Sequence, residues 1–295
     1  MTAHTDLPLM IEAPKRRWLI DPVRGLSLGT PAQLMGIVNV TPDSFSDGGA
    51  HQSVEQAVVR AQAMQAAGAA WLDVGGESTR PGAAVVGARD ECARVLPVIT
   101  ALTAVHLPIS IDTSKAEVAE VALAAGAVMV NDVTAGADPG MFAVVAGARC
   151  PMVLMHMQGT PLTMQQAPTY ADVVDEVLAF LVARLAAAVR AGIAEQAVVL
   201  DPGIGFGKRP EHNLSLLRAL PRLVAETGRP LLLGVSRKAI IASAAGVDLP
   251  PGQRDALSHV VHAICAPWCA LLRVHDVPGA AAAIRLSASL REGGH

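Results

Sequence analysis

The sequence predicts an α/β protein built as a (β/α)₈ (TIM) barrel, preceded by a short irregular leader. Apolar runs of about four to seven residues alternate with Ala-rich helical segments, and Gly or Pro closes each segment. Eight such strand–helix units fit into about 260 residues, which matches the barrel in count and in length. A doubly wound open sheet is the alternative. It needs a phosphate-binding glycine fingerprint after the first strand, and residues 39–42 do not supply one.

The predicted strands are continuous apolar runs, as expected for parallel strands covered by helices. They are 34–40, 71–74, 108–112, 128–131, 152–155, 198–201, 230–235 and 271–274. The predicted helices are 53–67, 88–103, 116–125, 140–146, 170–191, 212–226, 238–245, 254–266 and 279–290. Ser53 begins the first helix, and Gly68 ends it. Residues 1–30, broken by several prolines, are predicted as a leader or hairpin, and residues 31–295 as the barrel domain.

Composition and charge narrow the class of protein. Hydrophobic residues make up 52% of the chain and aromatic residues only 3%, so the core must be aliphatic. A net charge of −3 gives no indication of nucleic acid or an anionic membrane as a partner. No apolar stretch reaches the ~20 residues of a membrane span. The basic residues at 15–17 follow the first apolar residues, which is the wrong order for a secretory signal, so we expect a cytoplasmic protein.

Polar side chains recur at the ends of the predicted strands. This group comprises Asn39, Asp73, Asp112, Asn131, Asp201, Lys238, Arg273 and His275. One acidic residue at a strand end is usually a helix cap, but this many at one rim of a barrel are not all caps. Because active sites of such barrels lie at the carboxyl ends of the strands, the sequence predicts a site there.

The residue types suggest the ligand. Asp112, Asn131 and Asp201 offer carboxylates and an amide that suit the edge of a planar nitrogen heterocycle. Lys238, Arg273 and His275 form a cationic group after strands seven and eight, where barrels often bind phosphate. Asn39, with Asp43 nearby, suits a Mg²⁺ ion held by one protein oxygen, waters and phosphate oxygens. The pattern therefore indicates a flat heterocycle that carries a phosphate group.

Three other motifs have less specific interpretations. The glycine-rich segment 203–208 lacks Walker A spacing, and Arg209 stands where Ser or Thr would bind Mg²⁺. His259 and His262 lack the carboxylate of a metalloprotease motif and are interpreted as surface or interface residues. His156 either lines the site or only satisfies backbone groups, and the sequence leaves both alternatives open.

Eight segments, in order and with similar spacing, resemble the dihydropteroate synthase family. They are MGIVNVTPDSFSDGG (35–49), DVGGESTRPG (73–82), DTSK (112–115), ND (131–132), LMHMQG (154–159), DPGIGFGK (201–208), SRK (236–238) and RVHD (273–276). The resemblance covers roughly residues 30–290, and the first two segments together are highly specific.

The resemblance implies a transferase of folate biosynthesis. It would join 6-hydroxymethyl-7,8-dihydropterin pyrophosphate to 4-aminobenzoate, with Mg²⁺, and release 7,8-dihydropteroate and pyrophosphate. It implies a homodimer, and sulfonamides that compete with the aminobenzoate. A non-catalytic pterin-binding paralogue and a methyltetrahydrofolate-type methyltransferase are the alternatives. Neither would need the loops 41–49 and 78–82 together with both cationic segments.

The resemblance also assigns roles to residues. The catalytic group is Asp43, Asp112, Lys238 and Arg273. Pterin is bound by Asp112, Asn131, Asp201, Lys238 and Arg273. Pyrophosphate is bound by Thr79, Arg273 and His275. The aminobenzoate pocket comprises Thr79, Arg80, Pro81, Phe206, Ser236 and Lys238, and Asn39 is the metal ligand. The loops 41–50 and 76–86 are expected to close over the substrates.

The chain departs from the family between residues 254 and 273. Related synthases commonly have a Gly-Ser pair and small residues in this stretch, whereas this chain carries Leu257-Ser258 and then Pro267-Trp268 and is about one residue shorter. Pro267 is expected to end the helix early. Since the family dimerises through this outer helix, we expect the departure to affect the dimer more than the active site.

Overall fold

A computed structural model of the chain describes residues 9–13, 16–20, 32–40 and 50–292. Side chains of residues 9–13, 16–20, 50–53 and 291–292 are outside this description. The predicted loop 41–49, including Asp43, lies outside the described residues, as does the predicted boundary between residues 30 and 31.

Strands and helices alternate along the described chain. The strands are β1 (Leu9–Ala13), β2 (Arg16–Ile20), β3 (Gln33–Asn39), β4 (Ala69–Gly75), β5 (Ile109–Asp112), β6 (Met129–Asp132), β7 (Met152–Met155), β8 (Val198–Asp201), β9 (Leu232–Leu233) and β10 (Leu271–Val274). The helices are α1 (Ala50–Ala66), α2 (Ala88–Leu102), α3 (Ala116–Ala125), α4 (Met141–Ala148), α5 (Val173–Arg190), α6 (Pro210–Arg218), α7 (Leu220–Thr227), α8 (Ala239–Ala244), α9 (Asp255–Cys265) and α10 (Val277–Glu292).

Eight parallel strands form the predicted barrel. Their order is β8-β7-β6-β5-β4-β3-β10-β9. A parallel bridge between Leu200 and Leu231 joins the two ends of this sheet and nearly closes it. β1 and β2 pair separately as an antiparallel hairpin, from Leu9 opposite Ile20 to Ala13 opposite Arg16. The (β/α)₈ fold predicted from the sequence is therefore confirmed.

Two apolar layers hold the barrel together. One lies between the strands and the surrounding helices and contains most of the buried Val, Leu, Ile and Ala side chains. The other is a smaller cluster formed by Met35, Trp71, Val128, Met129, Val153, Val199, Leu232 and Leu271. Successive side chains of a strand point to opposite faces, so residues two positions apart share a face. Asp73, Asn131, Asp201 and Arg273 each follow a member of this cluster by two residues and therefore continue its face toward the carboxyl rim.

Several predicted boundaries differ from the observed ones, and three of the differences have a clear physical reason. The first helix begins at Ala50 rather than Ser53, because residues 50–52 contain no helix breaker. The predicted helix 212–226 is two helices, α6 and α7. Pro221 lacks an N–H group and its ring opposes the carbonyl of Leu217, so one continuous helix cannot form. Strand 230–235 shortens to β9, since Pro230 has no N–H group to donate.

All four cysteines are free thiols, and three of them are buried. Among the described residues, no helix has the length and apolar character needed to cross a membrane.

Candidate active site

Arg273 is the centre of a network at the carboxyl ends of the barrel strands. Its Nε donates to Oδ2 of Asp73 over 2.5 Å, and its NH2 donates to Oδ2 of Asp112 over 2.6 Å. Asn131 Nδ2 donates to the same Asp73 oxygen over 3.1 Å. These four side chains come from β10, β4, β5 and β6, which the parallel sheet brings to one rim. The barrel thus gathers residues that are far apart in the sequence into one polar cluster.

Lys238 and Asp201 extend this cluster across the rim. Lys238 donates a hydrogen bond to the carbonyl of Ile204, and its Nζ lies 4.4 Å from the centroid of the Phe206 ring. Asp201, at the end of β8, accepts a hydrogen bond from the backbone N–H of Gly203 over 2.7 Å. The distance from ammonium to ring suits a cation–π contact, so Lys238 and Phe206 form one wall of the site.

The cluster holds more carboxylates than cations. Asp73, Asp112 and Asp201 face Arg273 and Lys238, which leaves one negative charge uncompensated if every group is ionised. Burial raises the pKa of Asp112 to about 7, while the Arg273 guanidinium opposes the shift. Burial also lowers the pKa of Lys238 to about 8, against the attraction of Asp201. The pKa of Asp112 therefore lies near neutral pH, so this carboxyl is the group of the cluster that gains or loses a proton in that range.

The glycine-rich loop 203–207 is shaped by its packing on the segment after β7. Gly203 has φ +68°, and a Cβ there would lie 1.8 Å from the carbonyl oxygen of His156. Gly207 has φ +60°, and a Cβ there would lie 2.4 Å from the carbonyl oxygen of Gln158. Only glycine allows this approach, because these contacts are to rigid backbone atoms. The glycines therefore serve loop packing, which agrees with the exclusion of a Walker A motif.

The buried side chain of Lys208 holds this loop through hydrogen bonds to its backbone carbonyls. Its buried Nζ donates to the carbonyls of Gly203 over 2.9 Å and Phe206 over 3.0 Å, and lies 2.8 Å from His156 Nδ1. Burial lowers the pKa of Lys208 to about 7. His156 also packs edge-on against Phe180, with ring centroids 4.9 Å apart. Two alternatives were left open for His156. These contacts favour the second, in which His156 is a buried partner of neighbouring groups rather than a residue that lines the site.

His275 and Ser236 form a second contact at the rim. The Ser236 hydroxyl accepts the backbone N–H of His275 over 3.1 Å and lies 3.0 Å from His275 Nδ1. Burial lowers the pKa of His275 to about 3, and the positive charge of Arg273 lowers it further. The lowered pKa favours a neutral His275 that takes part in hydrogen bonds.

The loop after β4 is anchored at its base, and its tip makes a backbone hydrogen bond from the N–H of Gly82 to the carbonyl of Pro161 over 3.1 Å. Lys115 Nζ lies 2.5 Å from Glu77 Oε2 and 2.6 Å from Oε2 of the buried Glu91. Glu77 Oε1 accepts the N–H of Val86 over 2.9 Å, and Arg94 donates to the carbonyl of Gly76 over 2.9 Å. Thr79 is half-buried, whereas Arg80 and Pro81 are exposed. Among the described residues, no side-chain hydrogen bond or ion pair joins these three residues to the Arg273 cluster.

Asn39 ends β3 and is half-buried beside Gly75 of β4. No hydrogen bond of its side chain to another described residue is present. Asp43, the other residue predicted near it, lies outside the described part of the chain. The structure therefore places Asn39 at the correct rim without connecting it to the Arg273 cluster.

Sequence reasoning gave no specific role to several residues that hold the site together, although it counted Asp73 among the polar residues of the rim. Asp73 is fully buried and accepts from both Arg273 and Asn131, and its position two residues after Trp71 in β4 was the available signal. Glu91 shares the buried face of α2 with Val95, Val98 and Leu102, so a charged residue at that helical spacing was a second signal. No such pattern in the sequence pointed to Lys208 as a structural clamp.

The fold and the rim define a barrel enzyme that binds a flat, hydrogen-bonding ligand, and comparison with known proteins agrees. Residues 35–275 match the family model described as pterin binding enzyme. Dihydropteroate synthase of Mycobacterium leprae is 46% identical over 263 residues, covering 87% of this chain and 92% of that protein.

Solved structures give the same result. The Xanthomonas albilineans dihydropteroate synthase with 4-aminobenzoic acid has a TM-score of 0.85 and 45% identity, covering 97% of this chain and 99% of that one. The same enzyme in complex with 7,8-dihydropteroate has a TM-score of 0.82 and 43% identity, covering 96% and 99%. The chain belongs to the dihydropteroate synthases, within the pterin-binding enzymes.

Proposed function

We propose that the protein condenses 6-hydroxymethyl-7,8-dihydropterin pyrophosphate with 4-aminobenzoate to give 7,8-dihydropteroate and pyrophosphate. The observation that carries the proposal is the rim cluster in which Arg273 is bonded to Asp73 and Asp112, beside Asp201 and Lys238. A pterin presents amino, N–H and carbonyl groups along one edge, which carboxylates and an ammonium complement. Family membership and the structures of relatives with aminobenzoate and dihydropteroate support the same substrates.

The pterin would lie across the rim with its edge toward Asp112, Asn131, Asp201 and Lys238. The hydrogen bonds from Arg273 to Asp73 and Asp112 lie in the guanidinium plane, which leaves its face for stacking on the ring. The aminobenzoate would lie against Phe206, Ser236 and the stem of Lys238, with Thr79, Arg80 and Pro81 closing over it. The exposure of Arg80 and Pro81 supports a loop that closes when substrate binds.

Asn39 and Mg²⁺ form the proposed metal site. Asn39 offers a neutral amide oxygen, and among the described residues no group of three or more His, Cys, Asp or Glu side chains surrounds a candidate metal position. This donor set fits Mg²⁺, which commonly keeps several waters and takes its other ligands from substrate phosphates. A bound Mg²⁺ supplies charge neutralisation on the pyrophosphate. Calorimetry of pterin pyrophosphate binding at increasing Mg²⁺ concentrations tests this site. The Asn39→Ala variant should need more Mg²⁺ than the native protein to reach half of the full effect.

The transfer would proceed by dissociation. The bond between the pterin methylene and the pyrophosphate oxygen breaks, and the electron pair leaves with the pyrophosphate, to which Thr79, Arg273 and His275 donate hydrogen bonds. The cation left on the methylene is delocalised into the pterin ring and stabilised by Asp43 and Asp112. The aniline nitrogen attacks, a C–N bond forms, and the nitrogen loses a proton. No covalent bond to the protein is needed, so a pterin–protein adduct found by mass spectrometry after rapid quenching would exclude this route.

A homodimer is proposed through the outer face of α9 and α10. Val260 and Ile264 are 55% and 61% exposed on α9, and Leu286 and Leu290 are 63% and 74% exposed on α10. The two helices touch, since the Ser287 hydroxyl donates to the Ala263 carbonyl over 3.1 Å. Light scattering should give a dimer for the native protein and a monomer for the double variant Ile264→Glu, Leu290→Glu. The exposed Val59→Glu on α1 is the matched control that should leave the mass unchanged.

A cytoplasmic location is also proposed, because the protein has four free thiols and so suits a reducing compartment.

Pyrophosphate release by the purified full chain tests the function. Turnover should require the pterin pyrophosphate, 4-aminobenzoate and Mg²⁺ together, and Lys238→Ala should abolish most of it. Arg222→Ala, at an exposed ion pair with Asp175 outside the Arg273 cluster, is the control that should keep full activity. Tight pterin binding without turnover in the native protein would instead indicate a non-catalytic pterin-binding protein.

A further inference from the structure

Arg237 has an unusual backbone conformation in the turn that follows β9. Its φ is 62°, the left-handed region that non-glycine residues rarely occupy. Such a conformation costs of order 1–3 kcal/mol and persists only where surrounding contacts enforce it. The two neighbours of Arg237 in the chain are Ser236 and Lys238, which both belong to the candidate active site.

The start of α9 supplies those contacts. Arg237 Nε and NH2 donate to the two carboxylate oxygens of Asp255 over 2.8 and 2.7 Å. The Arg237 backbone N–H donates to the Ser258 hydroxyl over 3.0 Å, and its carbonyl accepts from Arg254 NH1 over 3.0 Å. Ser258 is fully buried, and its hydroxyl donates in turn to the Arg254 carbonyl over 2.8 Å. Thus both the side chain and the backbone of Arg237 are bound by one helix end.

Each neighbour of Arg237 makes a contact that depends on the direction of the chain at this turn. Ser236 is bonded to His275, and Lys238 reaches Ile204 and the Phe206 ring. A rotation of the backbone at Arg237 would move these two side chains in different directions, because they lie on opposite sides of the rotating bonds. The contacts between α9 and Arg237 therefore fix the positions of both Ser236 and Lys238.

We propose that Arg237 is a positioning residue whose ion pair with Asp255 and hydrogen bond with Ser258 hold Ser236 and Lys238 in the geometry that substrate binding requires. The inference deepens the proposed function and rests on it. From the sequence, the departure from the family pattern at residues 254–273 was expected to affect the dimer more than the active site, and the inference changes that expectation. Asp255 and Ser258 lie in that stretch, so the stretch bears on the active site as well as on the dimer face.

Four variants test the proposal at a temperature where circular dichroism shows each one fully folded. Asp255→Asn leaves the Arg237 guanidinium in place but removes its charged partner. We expect kcat/KM for 4-aminobenzoate to fall roughly tenfold, since small misplacements of binding groups cost this much or more. Arg237→Ala should fall further, and Arg237→Gly should retain several-fold more activity than Arg237→Ala, because glycine adopts the positive φ freely. Asp175→Asn, which alters an exposed ion pair with Arg222, should match the native protein.

The outcomes separate the alternatives. Folded Asp255→Asn and Arg237→Ala proteins with native kcat/KM and native pterin affinity would show that Arg237 serves stability alone. An impaired Arg237→Ala beside a native Asp255→Asn would show that the guanidinium acts on the substrate directly, which also overturns the proposal. If the native protein itself lacks turnover, the proposed function fails. The positioning role is then judged from calorimetric binding of the pterin pyrophosphate, which the Asp255→Asn change should still weaken.

Discussion

Arg273 and Asp73 are separated by 200 residues in the sequence, yet Nε of one lies 2.5 Å from Oδ2 of the other at the rim of the barrel. The same Asp73 oxygen accepts from Asn131, and Asp73 has no exposed surface. The buried carboxylate of Asp73 therefore accepts hydrogen bonds from both Arg273 and Asn131, the cation and the amide that we assign to pterin binding. Its other oxygen, Oδ1, has no hydrogen-bond partner among the described residues.

Replacing Asp73 with Ala should destabilise the protein strongly, because it leaves Arg273 with only Asp112 as a partner in a buried site. Removing one member of a buried ion pair typically costs about 3–5 kcal/mol, and we expect about 3 kcal/mol here because Asp112 remains. Urea unfolding followed by circular dichroism measures the change. Asp175→Ala, at an exposed pair with Arg222, should change the free energy of unfolding by less than about 1 kcal/mol. Equal losses in the two variants would contradict the assigned role of Asp73.

Pterin binding should depend on pH through Asp112. Burial raises the pKa of this carboxyl to about 7, so below that pH it is protonated and must lose a proton before it can accept N–H donors from the ligand. Affinity should therefore fall as the pH is lowered through 7, by up to tenfold per unit. It should fall again above pH 8, as Lys238 with its pKa of about 8 loses its charge. Calorimetry from pH 5.5 to 9 measures both limbs.

The variant Asp112→Asn isolates the acidic limb of that profile. It should bind the pterin more weakly at pH 8, and its affinity should no longer change between pH 6 and 7. An acidic limb that survives in this variant would assign the titration to another group. Asp201 is one such candidate, since burial raises the pKa of this carboxyl as well.

Lys208→Met should raise the KM for aminobenzoate by about tenfold and lower the free energy of unfolding by about 2–3 kcal/mol. The first effect follows because the loop that carries Phe206 loses its clamp. The second follows because buried carbonyls lose their donor. His156→Leu, which removes only one of the acceptors, should have a smaller effect on both quantities. An unchanged KM in a destabilised Lys208→Met protein would restrict Lys208 to a purely structural role.

His262→Leu should stabilise the protein by about 1 kcal/mol at pH 7.5. His262 is fully buried, both of its ring nitrogens lack a partner among the described residues, and such unpaired groups cost about 1–3 kcal/mol. Burial lowers the pKa of His262 to about 3, and the nearby His259 lowers it further, against the attraction of Asp255. The stability tied to this neutral ring is present above the unfolded pKa of about 6.5 and is lost as the pH falls toward 3.

The advantage of His262→Leu should therefore grow as the solution becomes more acidic. Urea unfolding at pH 7.5, 6 and 5 measures this trend against the native protein. His259→Gln, which alters a histidine paired with Asp276, is the control from the same helix. A His262→Leu protein that is less stable than the native one at every pH would mean that packing of the ring outweighs its unpaired nitrogens.

The course of the barrel was predictable because its signals are local. Predicted strands 152–155 and 198–201 match β7 and β8 residue for residue, since parallel strands covered on both faces need apolar side chains along most of their length. Two of the wrong predictions lie where a single proline determines the backbone. Pro221 split one predicted helix into two, and Pro230 shortened the seventh barrel strand to Leu232–Leu233.

The fold, the rim on which the polar residues lie and the family follow from the amino-acid sequence, because periodicity and strand-end position are properties of neighbouring residues. The contacts among these residues became known from the folded structure. It joined Arg273 to Asp73 and Asp112, placed Lys208 beneath the glycine loop and bound Arg237 to the start of α9. These contacts depend on barrel closure and on the register of strands distant in sequence. Burial then set the protonation of Asp112, and burial exists only once the chain has folded.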